Sequence, residues 1–276
     1  MILGGSRDAG GKRRAPVRRR GVAVTVALIV LLALTACAGW APASHRRPSH
    51  PPKAHATHTP RALPTATPTP TALGLDKTAQ SIDDPNSTWV VVNKVRPLSP
   101  IDFTPPSLVY PDVTYVNHQP MRPEVAGALV AMLKAGNAEA GLDFSVQSAY
   151  RSFESQTRVY DDDVARHGQP YADTDTARPG HSEHQTGLAV DISAVPAKCS
   201  LDACFADTPQ GRWLAANAWR FGFLLRYPAD KVAVTGFTFE PWHFRYIGVP
   251  LATELHATNV STLEEFFGVP GGTEYH

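Results

Sequence analysis

The sequence predicts an α+β fold, and three observations carry that expectation. Helical and strand-like segments alternate without a regular βαβ rhythm, and no glycine-rich phosphate loop opens a helix, which argues against a doubly wound sheet. From about residue 76 to 276, Trp, Phe, Tyr and Val recur regularly and glycines mark turns, a length sufficient for one substantial core. No internal repeat is present. Charge is nearly balanced, with 26 Lys plus Arg against 25 Asp plus Glu, so a basic nucleic-acid binder is disfavoured and no nucleic-acid partner is expected.

The elements follow in chain order. Val90–Val95 reads as a short β segment, and the prolines after it (Pro97, Pro100, Pro105, Pro106, Pro111) require an irregular stretch. Arg122 to Ala140 places Val125, Leu129, Met132 and Leu133 on one helical face. Leu142 to Ser148 alternates like a strand, and Ser152 to His167 reads as a second helix with Ser152 as its N-cap. Leu188 to Ser193 is strand-like: Leu188, Val190 and Ile192 point one way, Ala189, Asp191 and Ser193 the other. Thr208 and Pro209 supply the N-cap and first residue of a third helix, with Leu214, Ala218 and Phe221 on one face and Gly222 as its end. Strands are expected at Phe223 to Tyr227 and Gly236 to Ile247. Residues 249–276 place Phe266 and Phe267 beside Glu264 and Glu265, a last amphipathic turn on the core to which the sequence assigns no role.

The first third is not domain material. Arg7, Lys12, Arg13, Arg14, Arg18, Arg19 and Arg20 against Asp8 make a basic segment of +6, followed by an uncharged apolar run to Ala36, the layout of a secretory signal. Taking that +6 from the overall +1 leaves about −5 for a chain cut after Ala36. Leu34-Thr35-Ala36-Cys37 resembles a bacterial lipobox, so residues 1–36 are read as a signal peptide and Cys37 as the lipidated N-terminus. A plain signal anchor or simple secretion is the alternative. Either way the rest lies outside the cytoplasm, held to the membrane by its lipid in the first reading. Residues 37–75, rich in Pro, Thr and His, have too few large apolar residues to offset ordering entropy and read as a disordered tether. Metal binding by its His45, His50, His55 and His58 is disfavoured by irregular spacing. Cys199 and Cys204, an even pair outside the cell with no flanking zinc ligands, read as a short-loop disulfide.

The chemistry concentrates in two segments. In Pro179 to Ser193, Asp191 projects from the face opposite the apolar stripe, and His184 lies on the preceding turn, where Gly187 supplies the bend toward the carboxylate. In Phe237 to Ile247, Glu240 and His243 lie three residues apart among aromatics, and Pro241 breaks the alternation that would otherwise separate them. Catalytic zinc keeps three protein ligands and an open position, so His184, Asp191 and His243 make a sensible set, with Glu240 free to act as base.

Three ordered motifs carry a family resemblance: Ser148-Ala-Tyr-Arg-Ser152, Ser182-x-His184-x-x-Gly187-x-Ala189-x-Asp191 and Glu240-x-Trp242-His243. They resemble those of the VanY-type zinc D-alanyl-D-alanine carboxypeptidases, within the peptidoglycan peptidases that include LAS enzymes such as lysostaphin. The resemblance spans roughly residues 90–250 of a single catalytic domain, 76–276. It implies a small, mostly antiparallel sheet flanked by helices, with Zn2+ on His184, Asp191 and His243 and Glu240 as catalytic base. Arg151 would contact the substrate's carbonyl oxygen or terminal carboxylate, with Arg245 a second candidate for the carboxylate. Ser148, Tyr150, Gln156 and Ser182 would line the substrate pocket, and His181 is a less favoured alternative ligand. The implied reaction is removal of the C-terminal D-Ala from peptidoglycan stem peptides. L,D-carboxypeptidase or crosslink endopeptidase activity uses the same set, and a wall-binding lipoprotein without turnover is the reading from another class. Oligomeric state leaves no trace in the sequence.

Overall fold

A computed structural model describes residues 71–276. The signal segment, Cys37 and the tether up to residue 70 lie outside the described residues. No helix among those described is long and apolar enough to cross a membrane.

Helix α1 (Pro123–Ala140) opens with proline in its first turn, where the missing N–H costs nothing. It buries Val125, Leu129 and Met132 against the sheet, each contributing roughly 1.5–3 kcal/mol by removal from water. Gly136 lets this helix approach closely, because a Cβ there would stand 2.6 Å from the Phe144 ring. Strand β1 (Asp143–Ser148) follows, then α2 (Phe153–His167), whose N-cap Ser152 accepts from the Ser155 N–H. A further short helix, α3 (Gln169–Asp175), was not legible from periodicity. Strand β2 (Ala189–Val195) is next, and then α4 (Pro209–Asn217), capped by Thr208 and continued to Gly222 by a tighter 3₁₀ turn. Strand β3 (Phe223–Leu225), the single turn α5 (Val232–Thr235), strand β4 (His243–Tyr246) and helices α6 (Val249–Thr258) and α7 (Leu263–Phe267) complete the chain.

The four strands form one fully antiparallel sheet in the order β1-β2-β4-β3. Strand β2 is central and buried on both faces. Leu188, at its entry, joins Val190 and Ile192 on the main core side with Phe244 and α1, while Asp191 and Ser193 face the other way. Its register sets Asp191 opposite His243 on β4, and a bulge between Val146 and Ser148 on β1 sets Ser148 opposite Asp191 on the other side. Bulges re-aim side chains in this way. A row of polar residues therefore crosses the middle of the sheet.

Three strand expectations need correction. Gly236–Ile247 is a strand only over His243–Tyr246, because Glu240–His243 forms a turn closed by the His243 N–H on the Glu240 carbonyl and Pro241 has no N–H for a ladder. Phe223–Tyr227 shortens to Phe223–Leu225. Val90–Val95 joins no sheet and makes only an isolated bridge between Asn93 and Arg96, while the Val90 carbonyl accepts from a guanidinium of Arg245.

Residues 249–276 belong to the domain. Helices α6 and α7 bury Leu251, Leu255, Leu263 and Phe266 against Trp89 and Val91 in a second apolar cluster. Trp89 ties it to the sheet by donating Nε1–H to the Ile247 carbonyl at 3.2 Å.

Candidate active site

The cross-strand pairing of β2 with β4 brings Asp191 and His243 together, and His184 reaches them from a 3₁₀ turn, Glu183–Thr186. Gly187 ends that turn at φ +68°, a left-handed conformation that glycine adopts without steric cost. The two imidazoles are oriented by their outer nitrogens. His184 Nδ1–H donates to the Ala149 carbonyl at 2.7 Å, which leaves Nε2 facing Asp191 Oδ2 at 3.3 Å. His243 Nε2–H donates to Glu183 Oε2 at 3.3 Å, which leaves Nδ1 facing Asp191 Oδ1 at 3.2 Å and Glu240 Oε2 at 3.6 Å.

These atoms fit a divalent cation. One ligand atom from each of His184, Asp191 and His243 lies within 4.8 Å of the others, and all three residues are buried. Asp191 Oδ1 has no hydrogen-bond partner among the described residues although it is sealed from water. A buried carboxylate with one oxygen left without a hydrogen bond, and an imidazole nitrogen facing each of its two oxygens, is costly unless a cation satisfies it. Two nitrogens and one carboxylate oxygen, each imidazole held by an outer hydrogen bond, is a donor set suited to zinc.

The charges are strongly perturbed. Burial pulls His184 down to about 4, with Arg151 adding to the effect. Burial opposes charging of His243, but Asp191 and Glu183 outweigh it and raise this imidazole to about 9. Burial would raise Asp191, yet the two histidines hold it well below the usual carboxylate range. Glu240 goes the other way: burial pushes it up to about 8, with Asp191 and Asp175 reinforcing the rise against His243 and Arg151.

These groups open on a cavity of about 430 Å³ lined by the three candidate ligands, Glu240, Arg151, Ser148, Gln156 and Ser182. Arg151 is steered by Gln156, whose Oε1 accepts from its Nη1 at 3.0 Å and whose own amide donates to the Ala177 carbonyl at 2.7 Å. The Nε of Arg151 is buried without a hydrogen-bond partner among the described residues. The rim includes Leu201 from the loop closed by the Cys199–Cys204 disulfide, whose sulfurs are 1.98 Å apart.

Other expected residues lie elsewhere. Tyr150 does not line the cavity; its backbone N–H binds the Pro120 carbonyl. His181 turns away, with Nδ1 on the Asn93 carbonyl at 2.9 Å and its ring against Tyr275. Arg245 is fully buried and occupied by Glu183 and the carbonyls of Thr88 and Val90, so it offers no free fork to a ligand. Glu183, Asp175 and Tyr227 border the cavity without having been singled out by motif spacing. For Glu183 the signal was its place between Ser182 and His184, where a neighbour of a ligand can reach the back of another ligand.

Comparison with known proteins places this arrangement. The VanY family model, described as D-alanyl-D-alanine carboxypeptidase, matches residues 118–249. The bifunctional D-Ala-D-Ala dipeptidase and D-Ala-D-Ala carboxypeptidase VanXYC of Enterococcus gallinarum is 33% identical over 183 residues, 65% of this chain and 93% of that protein. The solved LdcB LD-carboxypeptidase superposes with a TM-score of 0.62 at 37% identity, covering 68% of this chain and 89% of its own. A mutant of a vancomycin-resistance VanY D,D-pentapeptidase, solved in complex with Zn(II), superposes at 0.53 with 33% identity, covering 64% of this chain and 97% of its own. With its three motifs gathered at one cavity on a single antiparallel sheet, the chain belongs to the VanY family of peptidoglycan carboxypeptidases, hydrolases of the LAS type.

Proposed function

We propose that the protein is a zinc-dependent carboxypeptidase that removes the C-terminal D-alanine from peptidoglycan stem peptides. The observation that carries this reading is the convergence of His184, Asp191 and His243 beside Glu240, in a cavity that also presents Arg151. Zinc held by those three residues would polarise the scissile carbonyl and make hydroxide available near neutral pH. Glu240 Oε2 faces the ligand cluster, so this carboxylate takes the proton of the attacking water and returns it to the leaving amine. Arg151 keeps its charge and offers a planar fork to the substrate's carbonyl oxygen or terminal carboxylate, with Gln156 holding its orientation. Ser148 and Ser182 offer hydroxyls to the peptide from the cavity wall.

The first reading is the D,D reaction on stems ending in D-Ala-D-Ala, supported by the family match. A second, L,D cleavage of the tetrapeptide, is favoured by the 37% identity and 0.62 TM-score to an LD-carboxypeptidase. The same family membership supports a site of action outside the cytoplasm, and the sequence of residues 1–37 supports a lipid anchor on Cys37. Loss of Cys37 by substitution with serine should then release the protein from membranes, and unchanged attachment and processing would refute the anchor.

The test is mass spectrometry of the zinc-loaded protein with stem pentapeptide and, separately, tetrapeptide, with Glu240→Ala as control. Loss of one D-Ala from the pentapeptide alone supports the D,D reading, and loss from the tetrapeptide alone supports L,D. If neither is cut while zinc is bound, the carboxypeptidase reading is refuted, and cleavage of crosslinked dimers would then point to an endopeptidase.

A further inference from the structure

From Glu183 at the cavity wall, a cluster of charges that this reaction does not use runs back into the core. Glu183, Arg226, Arg245 and Glu264 are each at most 2% exposed. Buried charges persist only where every one is paired, and this cluster meets that condition. Arg226 donates Nε–H to Glu183 Oε1 at 2.8 Å, and its Nη1 and Nη2 grip the two oxygens of Glu264 at 2.9 and 2.7 Å. Arg245 donates Nη1–H to the same Glu183 Oε1 at 2.8 Å and Nη2–H to the Thr88 and Val90 carbonyls. Glu264 Oε1 also accepts from the Asn93 amide at 2.9 Å.

The distribution over Glu183 is uneven. Both guanidinium groups sit on Oε1, while Oε2 is turned to His243 Nε2 at 3.3 Å. A carboxylate serving only as counter-ion to two arginines would gain by sharing them over both oxygens. We propose that Glu183 is a positioning residue for the candidate ligand His243: it accepts the Nε2 proton, so that Nδ1 is the atom presented to the metal, and Arg226 and Glu264 hold it in place. Glu264 lies on α7, outside the residues matched to the family model, so the C-terminal segment supports the site from behind. The inference rests on the zinc reading above. Outer carboxylates of this kind fix the tautomer and strengthen the ligand, and removing one costs about 10–100-fold in metal affinity.

The test compares zinc affinity, by competition with a chromophoric chelator, for the wild-type full-length protein and for Glu183→Gln, Glu264→Gln and His184→Ala. Glu183→Gln sets an amide against the Nε2–H and should weaken zinc binding about 10–100-fold, with Glu264→Gln weaker in the same direction. Wild-type affinity in Glu183→Gln, with binding abolished in His184→Ala, overturns this inference alone. Unchanged affinity in His184→Ala overturns the zinc reading and the inference with it. Should Glu183→Gln not fold, long-range 1H–15N NMR of the zinc-loaded wild type decides the matter. A proton on His243 Nε2 supports the inference, and a proton on Nδ1 refutes it.

Discussion

Glu240 should destabilise the metal-free protein, and Glu240→Gln should relieve the strain while abolishing turnover. In the fold without a cation this carboxyl is pushed from 4.5 up to about 8, chiefly by burial. Between those values the unfolded chain is ionised at this position while the folded protein keeps a proton, so stability falls as pH rises through the window. At pH 7 the interval above 4.5, at 1.36 kcal/mol per unit, gives about 3 kcal/mol. An isosteric neutral amide has no such dependence. Metal-free Glu240→Gln should therefore match the wild type near pH 4.5 and exceed it by about 3 kcal/mol at pH 7, a Tm gain of roughly 6–12 °C for a domain of this size. The assay is thermal and urea unfolding of chelator-treated wild type and variant from pH 5 to 9. The zinc-loaded variant should lose about 10²–10⁴ in kcat while retaining the metal, as expected for a general base. A stability difference that does not vary with pH, or one that favours the wild type at pH 7, would refute the reasoning.

Three further predictions follow from the same geometry. Arg151→Ala should lower kcat/KM by about ten- to a hundredfold, the worth of charge-assisted hydrogen bonds, and abolish any preference for a free C-terminal carboxylate over its amide; an intact preference contradicts the assigned role. With His243 raised to about 9 and Glu240 to about 8, zinc competes with protons, so apparent affinity should rise with pH by about one to two factors of ten per unit until roughly pH 8–9. Chelator competition at several pH values measures this, and a flat profile contradicts it. Replacing Cys199 and Cys204 by serine opens a loop of sequence separation 5, which should cost about 2 kcal/mol and lower Tm by roughly 4–8 °C under non-reducing conditions. An unchanged Tm would show that the bridge does not constrain the unfolded chain.

The sequence spoke most clearly where local physics controls the outcome. Helix α1 followed from the spacing of Val125, Leu129 and Met132, the cap of α2 from Ser152, and the start of α4 from Thr208 and Pro209, because caps and amphipathic faces depend on residues a turn apart. The candidate ligands and base were legible for a related reason. His184 and Asp191 share one turn-and-strand unit, and Pro241 visibly interrupts the strand that would have parted Glu240 from His243.

What the sequence could not contain were decisions made by partners distant in the chain. Val90 has the composition of a strand residue, but its carbonyl is taken by Arg245, 155 residues away. Arg151 and Arg245 are equivalent forks on paper; only packing leaves one in the cavity and locks the other between Glu183 and backbone carbonyls. The ends of β4 were set by the turn at Glu240 and by the length of β3 beside it. Residues 249–276 had no role until α7 brought Glu264 against Arg226. The sequence by itself determined the α+β class, the residue types of the candidate ligand set and the caps, because these are properties of residue type and short spacing. Tertiary structure alone decided which arginine reaches the cavity and which nitrogen of His243 faces Asp191, because a buried charge takes its meaning from whichever distant group pairs with it.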